Sequence, residues 1–232
     1  MIEWIQRTWQ SFAESFVKNF IVEDRYMLIV RGLGTTILIS LLAVLLGCII
    51  GFIMAFFRLS KIKVLNWIAG IYIDVIRGTP TVVQLLIIYY VIFAPFKNMP
   101  KVVIAAISFG INSGAYVAEI VRGGILSVDR GQMEAGRSLG LTSAQTMRLI
   151  IIPQAIKNIL PALGNEFIVL IKETAIAGYI ALQDLTKASD IIRSITWSSM
   201  PLFATAIIYF ILVKLLSKGL QVFEKRLRKS EM

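Results

Sequence analysis

Five stretches of this chain are too apolar for a water-soluble fold: residues 35–57, 82–95, 102–121, 165–180 and 202–216. A membrane-spanning helix needs about 20 mostly apolar residues, because only internally hydrogen-bonded backbone is tolerated in hydrocarbon. The shorter windows reach that length only with neighbouring residues, 66–76 for one and 150–163 for another. The chain is 57% apolar and 16% charged, against roughly 25% charged in ordinary globular proteins. The expectation is an all-α integral membrane protein with five transmembrane helices.

Charge placement gives the orientation. Arg58, Lys61 and Lys63 follow the first span, and Arg122, Arg130, Arg137 and Arg148 follow the third. Lys218, Lys225, Arg226, Arg228 and Lys229 follow the fifth. Short basic loops stay in the cytoplasm, which puts the N-terminus outside and the C-terminus inside. The opposite face carries basic residues too (Arg7, Lys18, Arg25, Arg31, Lys97, Lys101), so the bias is incomplete. Because the positive charge is split among loops rather than gathered on one face, no nucleic-acid partner is expected.

Cys48 stands alone in the first span, which excludes a disulfide framework. With no histidine in the chain, a zinc centre and histidine-based acid–base chemistry are not expected. Residues 1–20 lack the continuous apolar core of a signal peptide, since Glu3 and Glu14 interrupt it. Instead Ile5, Trp9, Phe12, Phe16 and Phe20 recur every three or four residues opposite Arg7, Gln10, Glu14 and Lys18. That is the pattern of an amphipathic helix lying in the outer interface, anchored by Trp4 and Trp9. The expected organisation is an interfacial helix over 1–25, a membrane domain over 26–220 and a basic cytoplasmic tail over 221–232.

Residues 64–95 are too long for one straight span, and Gly78-Thr79-Pro80 should break them near the middle. Asp74 and Arg77 precede the break, three apart, and two readings stay open: an internal ion pair holding the kink, or groups lining a solute path. In the third apolar stretch Asn112, Tyr116 and Glu119 step by four and three along one face, beside the small residues Gly110, Gly114, Ala115 and Ala118. A polar stripe so bordered suits a packed interface or a path for solute, unless Glu119 simply pairs with Arg122. Glu166 has no i,i+4 partner of opposite charge, which makes it a candidate to face a cavity.

Between Val128 and Gly140 the hydropathy collapses. Asp129 supplies a capping residue, Gly131 a flexible joint, and Glu134 to Leu139 one or two helical turns. Gly140 ends them, and a second helix starts after Thr142 or Ser143; Pro153 and Pro161 should bend the chain beyond its first turns. The segment 181–193, polar and helical in pattern, is expected to lie outside. No internal repeat is present, which disfavours inverted-repeat carriers.

The spacing Glu134-Ala135-Gly136, then Gly140, then Ile150-Ile151-Ile152-Pro153 resembles the coupling motif of permease subunits of ABC importers, with Gly136 and Ile152 where the family pattern has Ala and Leu. The stretches Arg77-Gly-Thr-Pro-Thr-Val-Val-Gln84, Gly114-Ala-Tyr-Val-Ala-Glu-Ile-Val-Arg-Gly-Gly124 and Leu163-Gly-Asn-Glu-Phe-Ile are similar to the polar amino acid subgroup of that family. The resemblance covers about residues 30–220.

It implies a permease in a bacterial inner or plasma membrane, paired with a second copy or a related chain. Two cytosolic ATPase subunits and an extracytoplasmic amino-acid-binding protein complete such a machine. A coupling helix within 128–145 would dock on the ATPase through Arg130, Glu134, Ala135, Gly136, Arg137, Leu139 and Gly140. The chain holds no Gly-x-x-x-x-Gly-Lys-Ser/Thr loop, so ATP and magnesium belong to the partner and this chain is not the enzyme. Asp74, Arg77, Thr79, Gln84, Asn112, Tyr116, Glu119 and Glu166 are the expected substrate-lining residues. An excess of acids over Arg77 points to arginine, lysine or histidine as substrate, with glutamine or another polar amino acid the alternative. A channel subunit leaves the coupling segment unexplained, and a scaffold leaves the intramembrane charges unexplained.

Overall fold

A computed structural model describes residues 2–228, apart from the side chains of Ile2, Glu3, Ile5, Arg7 and Arg228. The expectations on Ile5 and Arg7 in the N-terminal stripe, and on the basic side chains of Arg228 and Lys229, fall outside the described residues. Everything regular among the described residues is helical: α1 (Ile2–Phe16), α2 (Tyr26–Leu59), α3 (Lys63–Arg77), α4 (Thr81–Ile87), α5 (Lys101–Leu126), α6 (Arg130–Ser138), α7 (Ser143–Thr146), α8 (Ile152–Glu173), α9 (Leu185–Thr196) and α10 (Met200–Arg228).

Three of these, α2, α5 and α10, are long and apolar enough to cross a bilayer alone, and the bent pair α3–α4 makes a fourth candidate. α8 does not meet that standard unaided, because Lys157, Asn158, Asn165, Glu166 and Lys172 dilute it. The expected fourth span is therefore less plain than sequence windows suggest. At 34 residues α2 is about 51 Å long, well beyond a hydrocarbon core of about 30 Å.

α2 is the spine. Three apolar clusters are strung along it: Ile29 meets Phe20, Leu185 and Ile192; Ile39 and Ala43 meet Leu85, Phe109 and Leu170; Ala55 meets Val117, Val121 and Ile159. Helix α5 crosses α2 closely because small residues line both faces, and a Cβ on Gly51 would stand 2.5 Å from Val117. Burial separates the spans sharply: 67% of the most apolar window of α5 is inside the fold, against 11% for α10. So α5 forms the centre, and α10 offers its apolar surface outward.

The N-terminal segment is tied down more firmly than an interfacial helix requires. Trp4, Trp9, Phe12 and Phe16 are exposed, but Phe20 is buried. Next to it the fully buried Asn19 accepts a hydrogen bond from Thr196 Oγ1 (2.6 Å) and donates to the Ser15 carbonyl (2.7 Å) and Ser198 Oγ (3.2 Å). This stitches the start of the chain to the approach to α10.

Candidate functional site

The break between α3 and α4 bends the chain by 105°. Pro80 sets the extended backbone that caps α4, and it has no N–H to give. Backbone carbonyls freed in an apolar setting need donors, since each unsatisfied one costs about 1–3 kcal/mol. Gln84 supplies them. Its Nε2 reaches the Ile76 carbonyl (2.7 Å), Thr79 Oγ1 (2.7 Å) and the Thr79 carbonyl (3.1 Å). Thr79 Oγ1 in turn donates to the Val75 carbonyl (2.8 Å), and Asn112 Nδ2 donates to Gln84 Oε1 (3.0 Å). Thr79, Gln84 and Asn112, expected as substrate-lining, are thus occupied in holding the break and fixing it to α5. Asn112 Oδ1 remains buried without a partner.

Arg77 ends α3, so its side chain is free to swing across to α5. It lies over the Tyr116 ring at 5.4 Å and places Nη1 4.0 Å from Glu119 Oε2. Glu119 is already held from its own helix: Arg122 donates from Nε (2.9 Å) to Oε1 and from Nη2 (2.7 Å) to Oε2. No Asp74–Arg77 pair forms among the described residues; the ion-pair reading of the kink is corrected to a Gln84 staple. Asp74 instead lines a separate cleft with Arg58, Lys61 and Lys63. The side chains of Arg77 and Glu119 are 45% and 23% exposed. Arg77, Tyr116, Glu119 and Arg122 therefore form one accessible cluster holding two guanidiniums and one carboxylate.

Glu166 does not join it. It is buried, and Ser113 Oγ donates to its Oε1 at 2.8 Å, which packs α8 onto α5. The expectation that Glu166 faces an open cavity is corrected: its partner is a hydroxyl on the next helix, invisible to a search for i,i+4 charges.

The polar corner after α5 folds closely along the expected lines. Asp129 caps α6 by accepting from the Gly131 amide (2.6 Å), which makes Gly131 part of the first turn rather than a joint. Gly140, at φ +87°, ends the turn in the left-handed region that glycine enters without strain. Thr142 and Gln145 then form a reciprocal capping box on α7. Pro153 stands at the start of α8, directly after a wide π-type turn over Met147–Ile151, and α8 continues through Pro161.

Gly136 is buried, and a Cβ there would stand 2.5 Å from Thr146 Cγ2 and 3.1 Å from Ile150 Cδ1. It packs α6 onto α7, so it is not part of the surface open to a partner. Arg137 Nη1 is also engaged, donating to the Leu141 carbonyl (2.8 Å). Arg130, Glu134, Ala135 and Leu139 point outward, Leu139 with 81% of its surface exposed. The Gly136–Thr146 contact and the Arg58–Asn66 link at the end of α2 lie beyond the reach of sequence pattern, because neither has a periodic signature.

Residues 43–229 match the family described as binding-protein-dependent transport system inner membrane component. A putative glutamine transport system permease protein of Rickettsia bellii is 41% identical over 207 residues, covering 88% of this chain and 94% of its own length. The L-cystine transport system permease protein of Bacillus subtilis is 40% identical over 198 residues, covering 84% and 85%. The crystal structure of an amino acid ABC transporter with histidines matches at 48% identity and a TM-score of 0.83, over 89% of this chain and 98% of that one. The chain belongs to the family of binding-protein-dependent transport system inner membrane components, as a multi-pass permease subunit of an amino-acid ABC importer that works with ATPase subunits and a binding protein.

Proposed function

We propose that this permease imports a polar amino acid without net charge, with glutamine the favoured substrate, and that Arg77, Tyr116 and Glu119 contact it. The observation that carries this reading is the charge balance of the accessible cluster. Arg122 already satisfies Glu119, whereas the guanidinium of Arg77 has one loose contact at 4.0 Å and keeps donors free for a carboxylate. An acid left over for a cationic side chain is missing from that cluster, and Glu166 is buried with Ser113. Relatives named for glutamine and cystine, both uncharged overall, support the same choice.

The basic-substrate reading keeps one observation in its favour: the 48% identical solved transporter is described with histidines. The two readings separate in proteoliposomes holding the permease, its ATPase subunits and its binding protein. ATP-driven uptake of labelled glutamine should exceed that of arginine and histidine; the reverse order sinks the glutamine reading.

The wider arrangement we infer is five spans, N-terminus outside and C-terminus inside, with α8 and the turn after it as the fourth. Residues 1–25 lie in the outer interface and 221–232 form a cytoplasmic tail. Two copies, identical or related, each present the 128–145 corner to one of two ATPase subunits. Arg130, Glu134, Ala135 and Leu139 make that contact, while Gly136, Arg137 and Gly140 hold the corner in shape.

A further inference from the structure

A second charged cleft adjoins the Arg77 cluster, at the corner where α2 hands over to α3. A cleft of about 530 Å³ opens there, lined by Arg58, Lys61, Lys63, Asn66, Trp67 and Asp74. The corner is fixed rather than loose. Asn66 Nδ2 donates to the Arg58 carbonyl (2.7 Å), Arg58 Nη1 donates back to Asn66 Oδ1, and the Ile62 amide donates to Ser60 Oγ (3.1 Å). Lys61 and Lys63 have no carboxylate partner among the described residues, and both are exposed. Asp74 lies one turn beyond Gly70, which Arg58 approaches, and eleven residues along α3 from Lys63, about 16 Å at helical rise, so it offsets Arg58 and not the two lysines. Three cations against one carboxylate leave the opening with a net positive charge.

What surrounds the mouth identifies the ligand. The apolar run of α2 ends at Leu59, so the corner stands at a membrane surface. Trp67 (67% exposed) and Ile71 (43%) line the cleft beside the cations, and the exposed Ile62 (59%) and Val64 (64%) adjoin the lysines in sequence, so hydrocarbon and an interfacial aromatic accompany the charge. A soluble anion has no use for such a rim, whereas a molecule with an anionic head and acyl chains satisfies both parts at once. We propose that this cleft binds the phosphate of an anionic phospholipid headgroup, with Lys61 and Lys63 as its principal contacts and Arg58 as a fixed third charge. The lipid would brace the α2–α3 corner, from which α3 runs directly to Arg77.

The test is native mass spectrometry of the complete importer, permease with its ATPase subunits, in detergent with equal amounts of phosphatidylglycerol and phosphatidylcholine. Phosphatidylglycerol should be retained preferentially, and Lys61→Gln and Lys63→Gln should each lower its retention about five-fold, the equivalent of about 1 kcal/mol per basic residue. Both lysines are exposed, so the variants should fold, and a circular dichroism melt confirms it. Equal retention of the two lipids, or unchanged phosphatidylglycerol retention in the double variant, overturns the proposal. Displacement by inorganic phosphate at constant ionic strength overturns it in favour of a free anion. Loss of the ATPase subunits from the double variant, with lipid retention unchanged, overturns it in favour of a protein contact.

Discussion

The α3–α4 break and the α6–α7 corner are both short polar interruptions of an apolar chain, yet they deploy their polar groups in opposite ways. At the break, the buried Gln84 and Asn112 bond to each other and, with the exposed Thr79, take up the freed carbonyls, leaving only Asn112 Oδ1 without a partner. At the corner, the caps and Gly136 make the shape, while Glu134 and Arg130 are left facing outward with no partner among the described residues. Polar groups that a chain satisfies by itself hold its form. Those it leaves free are available to something else.

The largest effect expected from this contrast is at Gly136. A Gly136→Leu substitution forces α6 off Thr146 and Ile150, so the corner loses its shape without any exposed charge being touched. Uptake in proteoliposomes should fall about a hundred-fold, close to 3 kcal/mol by rate arithmetic, with hydrolysis persisting. Glu134→Arg should uncouple in the same sense while leaving thermal stability unchanged, because it removes no internal contact. If Glu134→Arg transports normally, the division between shape-holding and outward groups fails at its main point.

Next comes the break itself. Gln84→Leu strands acceptors at Ile76 and Thr79 in an apolar setting and should cost about 2 kcal/mol in a thermal or denaturant melt of the purified chain. The double variant with Asn112→Leu should cost less than the sum of the two singles, since replacing both partners of a buried bond leaves fewer orphans. Strict additivity would mean that the two amides do not act as a unit.

Sequence pattern carries the corner well and the break only halfway. Capping residues, a left-handed glycine and a turn obey local rules, so spacing alone suffices to place Asp129, Gly140 and Thr142. Gly78-Thr79-Pro80 marks the break for the same reason. What holds the break is not local: Gln84 to Asn112 spans 28 positions and Ser113 to Glu166 spans 53. Periodicity places Asn112, Tyr116 and Glu119 on one face without revealing that Asn112 serves the break while the other two meet Arg77. The i,i+3 spacing of Asp74 and Arg77 suggests a pair, but a helix-terminal arginine has a better partner on α5. The apolar residues of α8 suggest a span, though Glu166 and Asn158 face α5 and its C-terminal end rather than lipid.

Arg77 gives a third, smaller way to sharpen the comparison, because it is the charge near the break that remains available. Arg77→Ala should raise the KM for uptake about ten-fold, equivalent to about 1.4 kcal/mol, with the melt little changed. Arg77→Lys should recover part of that, keeping the charge but losing bidentate geometry. A fall in stability like that of Gln84→Leu would instead make Arg77 a structural residue of the break.

The smallest effect lies on α9, where two aspartates repeat the contrast within one helix. Asp190 is held below the ordinary carboxylate range by hydrogen bonds from Arg193 first and Lys187 second. Its contribution is therefore complete at neutral pH and is lost as pH falls below about 4. The pairs are exposed, so Asp190→Asn should lower stability at pH 7 by only a few tenths of a kcal/mol. Asp184 is fully buried at the N-cap, and burial pushes its carboxyl up, against the pull of the Lys187 and Thr186 amides. A raised acid has the opposite sign: the folded state holds the proton more tightly, so stability declines as pH rises through the carboxylate range. Asp184→Asn keeps a good cap and removes that decline. Melts of the two variants between about pH 2 and pH 7 should therefore diverge in slope, Asp190→Asn losing the fall below about pH 4 and Asp184→Asn losing the decline above it. Parallel curves would show that the inward and outward carboxylates of α9 do not differ in the way their partners imply.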